Sequence, residues 1–548
     1  MQEKNSRVWQ PFIYSAVLAI GILGGYFLQN NHTGGFKLSG NDKLDQVISR
    51  ISSDYVDTIN SEELTETAIV EMLHQLDPHS SYIPADELKS VNEQLEGNFE
   101  GIGVEFNLLD DTIFIASVLP DGPSEKAGLQ PGDRIITVDG ETVAGIKIDN
   151  GGVAKRLKGE KGTKVKVGIK RMGEKGLIDF TITRGQIPLY SVEATYMLNP
   201  TTGYIKLVSF SRDTYQELMD GINQLKASGM KSLILDLRGN PGGYLHAATG
   251  VASEFLGKNK LMVYTEGRKA GKREYKTDSK GGFMDGKLVV LIDEGSASAS
   301  EIVSGAVQDW DRGVIVGRRS YGKGLVQESY GLNDGSALRL TIARYYTPTG
   351  RCIQKPYDDG YDSYESDILD RFNAGEFDSQ DSLKTNKELE YTTPKGRKVY
   401  GGGGIYPDIF VPIDSALHSG LLTNIYRYGF ISRVAYKYGS ANRETLLKKY
   451  KNIDAFVAGF NFNSLLEQQI KELLNKSEIA FTNEQLVKLM PTIKRQANAY
   501  VARQLYGRQA YQQALNTGDN TVDAALNALN NYEALLQGNG AATAQKVK

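Results

Sequence analysis

KLVVLIDEGSASASEIVSGAVQ, Lys287–Gln308, decides the fold. The apolar run at its start predicts a strand, and the small residues after it predict a tight turn. Ile302, Val303, Ala306 and Val307 then recur at helical spacing and predict an amphipathic helix. A strand feeding a helix through a tight turn is the repeating unit of an α/β fold. Ser298 falls on the turn, at the carboxyl edge of the sheet, where such folds carry their sites. The helix start leaves backbone N–H groups without intrahelical partners, a place for an oxyanion. A plainer role is available: Ser296, Ser298 or Ser300 caps the helix, and Glu301 completes a capping box with Ser298.

Working outward, SLILDLRGNPGG (Ser232–Gly243) is a second apolar strand ending in a glycine-rich loop, where Gly242 or Gly243 offers a further N–H. Downstream, GRRSYGKGLVQ (Gly317–Gln327) sets Lys323 between two glycines. If 323–327 is extended, Lys323 and Gln327 share a face, two pleats apart. Across 186–350, strands such as TGYIKLVSF and RGVIVG alternate with helical stretches such as TYQELMDGINQLKAS. That alternation predicts a sheet covered by helices.

A lysine serves as a base only as the free amine. With its ordinary pKa of about 10.4 it is almost wholly protonated at neutral pH, and lowering that by about 3 units costs about 4 kcal/mol. Burial supplies such a shift. Leu325, Val326 and the 314–316 strand are the expected walls, and Arg318 and Arg319, if they point inward, add like-charge pressure.

Residues 96–185 change to short β-type runs punctuated by Gly and Asp. Gly101-Ile102-Gly103-Val104, followed by GPSEKAGLQPGDRIITVDGETV (122–143), looks like the carboxylate-binding loop and following helix of a PDZ domain. Glycines let successive N–H groups converge on a terminal carboxylate, and the peptide adds as a strand to an open edge.

GSASASE, then YGKG with its lysine 25 residues after Ser298, then glutamine at Lys+4, resembles the C-terminal processing (tail-specific) peptidases. DLRGNPGG, TPTGRCIQ and GGGGIYPDIFVP are similar to that family as well, so the resemblance covers roughly residues 41–412. It implies a serine endopeptidase with Ser298 as nucleophile, Lys323 as general base and Gln327 as their companion. Asp309 stands where some members carry an aspartate, and Ala299 N–H with Gly242 or Gly243 forms the oxyanion hole. The substrates implied are loosely structured C-terminal tails of exported proteins, with no metal, nucleotide or organic cofactor.

The organisation expected is a mixed α/β protease core (186–414) with an inserted PDZ domain (96–185), an N-terminal helical segment (41–95) and a helical C-terminal region (415–548). The PDZ position suggests that it gates access to the site. The Asp-, Tyr- and Ser-rich stretch 355–400 reads as a surface insertion, and 415–548 as helices for homo-oligomer or partner contacts. Residues 11–28 are an apolar run of about membrane-spanning length, preceded by Lys4 and Arg7 in the short stretch 1–10. It reads as an uncleaved anchor with a cytoplasmic N-terminus, or as a cleaved signal, and either puts residues 30–548 outside the cytoplasm.

Lys+Arg 63 against Asp+Glu 66 gives no basic balance for nucleic acid. One cysteine, Cys352, and five scattered histidines form no metal-ligand spacing. Three rivals remain. The 317–324 stretch matches a P-loop but has Gly324 where Ser or Thr belongs. His246 with Asp309 would make a Ser-His-Asp hydrolase, although the elbow motif is missing. The third is a non-catalytic PDZ scaffold.

Overall fold

The computed structural model describes residues 41–462 and 464–537. The apolar run 11–28 lies outside them. Among the described residues no helix is long and apolar enough to cross a membrane. The chain divides after Met72, and helix Ser61–His74 runs across the division. The first unit holds helix Asn41–Asp54 and most of that second helix.

The second unit is built on a six-stranded sheet. Its order is Val192–Asn199, Thr202–Leu207, Ser232–Asp236, Lys287–Ile292, Val314–Gly317 and Ile409–Phe410. The first pair is antiparallel and the others are parallel. Parallel strands are buried on both faces, which is why 288–292 is apolar without alternation. All five of these side chains are fully buried. Leu288, Val290 and Ile292 meet helices Thr214–Ala227, Leu245–Ser253 and Ala299–Asp309. Val289 and Leu291 face the other way, onto helices Asn520–Asn530 and Tyr532–Leu536. The end of the chain therefore belongs to the core. Residues 421–514 form a separate helical cluster with its own apolar centre, so 415–548 is not one tail.

A second, antiparallel sheet stands beside the first. Strand Ala337–Tyr346 pairs with Ser81–Ile83, Leu261–Gly267 and Leu325–Gly331. It brings the N-terminal Asp77–Ile83 stretch next to Lys323. The stretch 355–400 also reaches inward: Tyr364 and Arg371 of helix Tyr361–Asn373 are buried, and Glu376 pairs with both Arg319 and Arg371. Few apolar residues are needed there, because ion pairs hold the segment down.

The PDZ sheet runs Val104–Leu109, Thr112–Val118, Arg134–Val138, Lys164–Lys170 and Ile178–Thr183. Its entry and exit are tied by an antiparallel ladder, Asn98–Gly101 with Gly185–Pro188. Its outer face packs on the C-terminal helices. Phe114 stacks on Tyr436 at 5.2 Å, and Glu105 meets Arg503 at 2.8 Å.

Candidate active site

The turn after Lys287–Ile292 is held by side chains. Asp293 Oδ1 accepts from Gly239 N (2.8 Å) and Gly295 N (3.0 Å). Ser296 Oγ donates to Leu237 O (2.9 Å), and Ser300 Oγ to Asn240 O (2.9 Å). Both serines are buried and serve the turn; Ser298 alone of the three is partly exposed. Its backbone has φ 54° and ψ −109°, a region that costs a non-glycine residue of order 1–3 kcal/mol and collects at functional sites.

Glu301 spends its carboxylate on structure. Oε2 accepts from Ser298 N (2.8 Å) and Lys323 N (2.9 Å), and Oε1 from Ser320 Oγ (2.6 Å) and Gly322 N (2.7 Å). Burial pushes its pKa up to about 7, but four donors converge on the two oxygens and leave no seat for a proton. We assign the carboxylate form. The capping role foreseen for Glu301 thus extends to clamping the backbones of Ser298 and Lys323 together. Tyr345 OH lies 3.0 Å from Ser298 O and 2.5 Å from Lys323 O, and binds the same two segments with its single proton.

Lys323 is half-buried, and its pKa is lowered to about 8. Loss of hydration is the main cause and the charge of Arg339 the second; Glu301 and Asp77 oppose them. The like charge is not Arg318 or Arg319. Those pair with Glu294 and Glu376 at 2.8 Å, which the local sequence does not reveal.

The strand starts at Leu325, and a bulge falls between Val326 and Gln327. The two-pleat relation expected for Lys323 and Gln327 is therefore broken. Gln327 Nε2 donates to Thr341 Oγ1 at 3.3 Å.

The role expected for Asp309 needs correction. It sits at the far end of the Ala299–Asp309 helix, about 15 Å along the axis, and is buried. Oδ1 meets Arg351 at 2.7 Å and Oδ2 accepts from Thr349 N (2.9 Å) and Oγ1 (2.7 Å). The carboxylate is consumed by these contacts. His246 is exposed and stacks on Tyr244 at 4.9 Å, and among the described residues no hydrogen bond ties it to Ser298. Strand Leu325–Gly331 follows Lys323 where a P-loop needs a helix.

Gly242 and Gly243 differ. Gly242 N donates to Asn240 Oδ1 (2.9 Å), while Gly243 N, like Ala299 N, has no acceptor among the described residues. Gly242, at φ 101°, packs on the Ser298 turn. A Cβ there would stand 2.8 Å from Ala297 O, 2.9 Å from Ala299 N and 2.9 Å from Ser298 Cβ. Gly242→Ala should cost about 1–3 kcal/mol and shift the turn. We expect a lower thermal midpoint and a lower kcat in the protein that stays folded.

In the PDZ domain, Ile102 is buried and its carbonyl accepts from Ser124 N (3.0 Å) and Oγ (2.6 Å). Gly101 ends one strand, Gly103 has φ 74°, and Val104 opens the edge strand Val104–Leu109, which pairs on one side only. An edge of this kind accepts an added peptide strand.

Asp77, His79, Ser80, Glu301 as a clamp, Tyr345 and Thr341 escaped the reading of the sequence as parts of the site. The one signal was LDPHSSYIP (76–84), a polar break whose function local pattern does not show.

Parts of the chain match known protein families. Residues 201–360 match peptidase family S41, 114–171 a PDZ domain, and 28–87 the activating protease CtpB N-terminal domain. Residues 421–507 match a family of unknown function. Carboxy-terminal processing protease CtpA of Bacillus subtilis is 38% identical over 57% of this chain and 66% of its own length, just under two thirds. CtpB of the same organism is 34% identical over 64% of this chain and 72% of its own. The photosystem II D1 C-terminal processing protease structure aligns over 56% of this chain and 89% of its own, at 29% identity and a TM-score of 0.32.

Proposed function

This chain belongs to the carboxy-terminal processing proteases of peptidase family S41, serine-type peptidases that act on C-terminal tails, and on that premise we propose that Ser298 is its nucleophile and Lys323 its general base. The observation that carries the proposal is the strained Ser298 backbone, clamped to that of Lys323 through Glu301 and Tyr345.

Ser298 Oγ attacks the scissile carbonyl and gives its proton to the Lys323 amine. The tetrahedral oxyanion takes hydrogen bonds from Ala299 N–H and Gly243 N–H. As it collapses, the Lys323 ammonium protonates the leaving amine, and an acyl-enzyme remains on Ser298. Water then gives a proton to Lys323, attacks the ester and frees the carboxylate, and the proton returns to Ser298. The tail to be cut is held by the Gly101–Val104 loop and the Val104–Leu109 edge. Residues 11–28 attach the protein to a membrane, with the peptidase outside the cytoplasm.

An acylating β-lactone tests the nucleophile by peptide mass mapping. We expect the acyl mass on Ser298, in a preparation that cleaves an unfolded protein with an apolar C-terminus. Acylation of another residue, with Ser298 unmodified and cleavage blocked, overturns the assignment.

A further inference from the structure

The Asp77–Ser80 turn is distant in sequence from every residue of the proposed mechanism. Asp77 and Ser80 are nevertheless buried, at 7% and 2% exposure. Asp77 Oδ1 accepts from His79 N (2.8 Å) and Ser80 N (2.9 Å), and Oδ2 from Ser80 Oγ (2.6 Å). Ser80 Oγ in turn accepts from Thr341 N at 3.1 Å. Thr341 Oγ1 lies 3.0 Å from Asp77 Oδ1 and 3.3 Å from Gln327 Nε2.

The order of donors along this chain is forced. A carboxylate carries no proton, so the Thr341 hydroxyl donates to Asp77. Its one proton is then spent, and it can only accept from Gln327. The amide NH2 of Gln327 therefore faces Thr341, and its carbonyl oxygen is turned away as an acceptor. Among the described residues no hydrogen bond joins that oxygen to Lys323, so it stands as a free acceptor, which is what an ammonium on Lys323 calls for.

We propose that Asp77 is a positioning residue of the active site: through Thr341 it fixes which end of Gln327 is presented, and its carboxylate is a negative charge facing Lys323. The proposal rests on Lys323 being the base. The charged and titratable groups around Lys323 include Arg339, Glu301, Asp77 and His79, with Tyr345 on its carbonyl. His79 Nε2 is 2.8 Å from Tyr364 OH. Burial, with the charges of Lys323 and Lys355, lowers its pKa to about 3, so it stays neutral over the working range. Arg339 acts against the ammonium, while Glu301 and Asp77 favour it.

The test is kcat and KM against pH for wild type, Asp77→Asn, Thr341→Val, Thr341→Ser and Gln327→Ala, with thermal midpoints measured alongside. Thr341→Val removes the relay and keeps the charge. We expect kcat to fall about tenfold, the worth of one hydrogen bond, with KM and the acid limb unmoved. Thr341→Ser should restore kcat. Gln327→Ala/Thr341→Val should be no slower than Gln327→Ala, because Thr341 acts only through Gln327. Asp77→Asn removes a charge that favours the ammonium, so the acid limb of kcat/KM should move to lower pH. A wild-type kcat in Thr341→Val, additive losses in the double variant, or an unmoved limb in a folded Asp77→Asn overturns the proposal. If Asp77→Asn does not fold, the Thr341 and Gln327 series decides alone. Ser298→Ala and Lys323→Ala run in the same assay: activity in either means that the underlying mechanism has failed, and not only this relay.

Discussion

Lys323→Ala lowers kcat/KM by about 10³-fold, the usual reach of a positioned general base, and Ser298→Ala lowers it at least as far. The wild-type enzyme carries a kinetic mark of the lysine. With a pKa of about 8, roughly one lysine in ten is the free amine at pH 7, against on the order of one in 2,000 at the ordinary value. The base form is the active form, so kcat/KM rises about tenfold per pH unit below 8 and levels above it. Lys323→Arg keeps the positive charge but not the basicity, and should be as inactive as the alanine variant. The measurement is cleavage of an unfolded protein with an apolar C-terminus, from pH 6 to 9.5. Loss of activity in Ser298→Ala with retention in Lys323→Ala would remove the lysine from the mechanism and return attention to His246. A flat profile below pH 8 would separate the acid limb from Lys323.

The sequence carried the parts of this site that lie within short stretches. The strand, turn and helix around Ser298 follow from an apolar run, small residues and a 3.6-residue period, and Lys323 stands out between two glycines. Long-range contacts were hidden. Asp77 and Thr341 are 264 residues apart, and no local pattern links them. Arg318 and Arg319 sit near Lys323 in sequence but spend their charge on Glu294 and Glu376, while Arg339 comes from a neighbouring strand. A bulge, invisible in composition, undid the spacing argument for Gln327. The last helices read as a partner-contact region because nothing local shows what they cover; most of the sheet that they cover lies more than 200 residues earlier.

Asp309→Ala destabilises the protein by about 3–5 kcal/mol, the cost of leaving a buried partner charge unpaired. Arg351 and Asp309 are both fully shielded from solvent, 2.7 Å apart. Arg351 also reaches Gln308 Oε1 (2.8 Å) and Tyr400 O (3.0 Å), which ties the end of the Ala299–Asp309 helix to the segment after it. Removing the carboxylate strands a guanidinium that has no water to turn to. Removing both charges is different. Asp309→Leu/Arg351→Met should recover most of the lost stability, since apolar replacement of a buried pair is often neutral. Urea unfolding of the single and double variants measures this. The catalytic reading of Asp309 makes the opposite forecast. It requires Asp309→Asn to fold with little loss and to fail in turnover by a hundredfold or more, and it requires the double variant to stay inactive. The structural reading expects kcat within about threefold of wild type in whatever remains folded, because the carboxylate lies about 15 Å along the helix from Ser298. An inactive Asp309→Asn with an unchanged unfolding midpoint would overturn the structural role and restore the catalytic one.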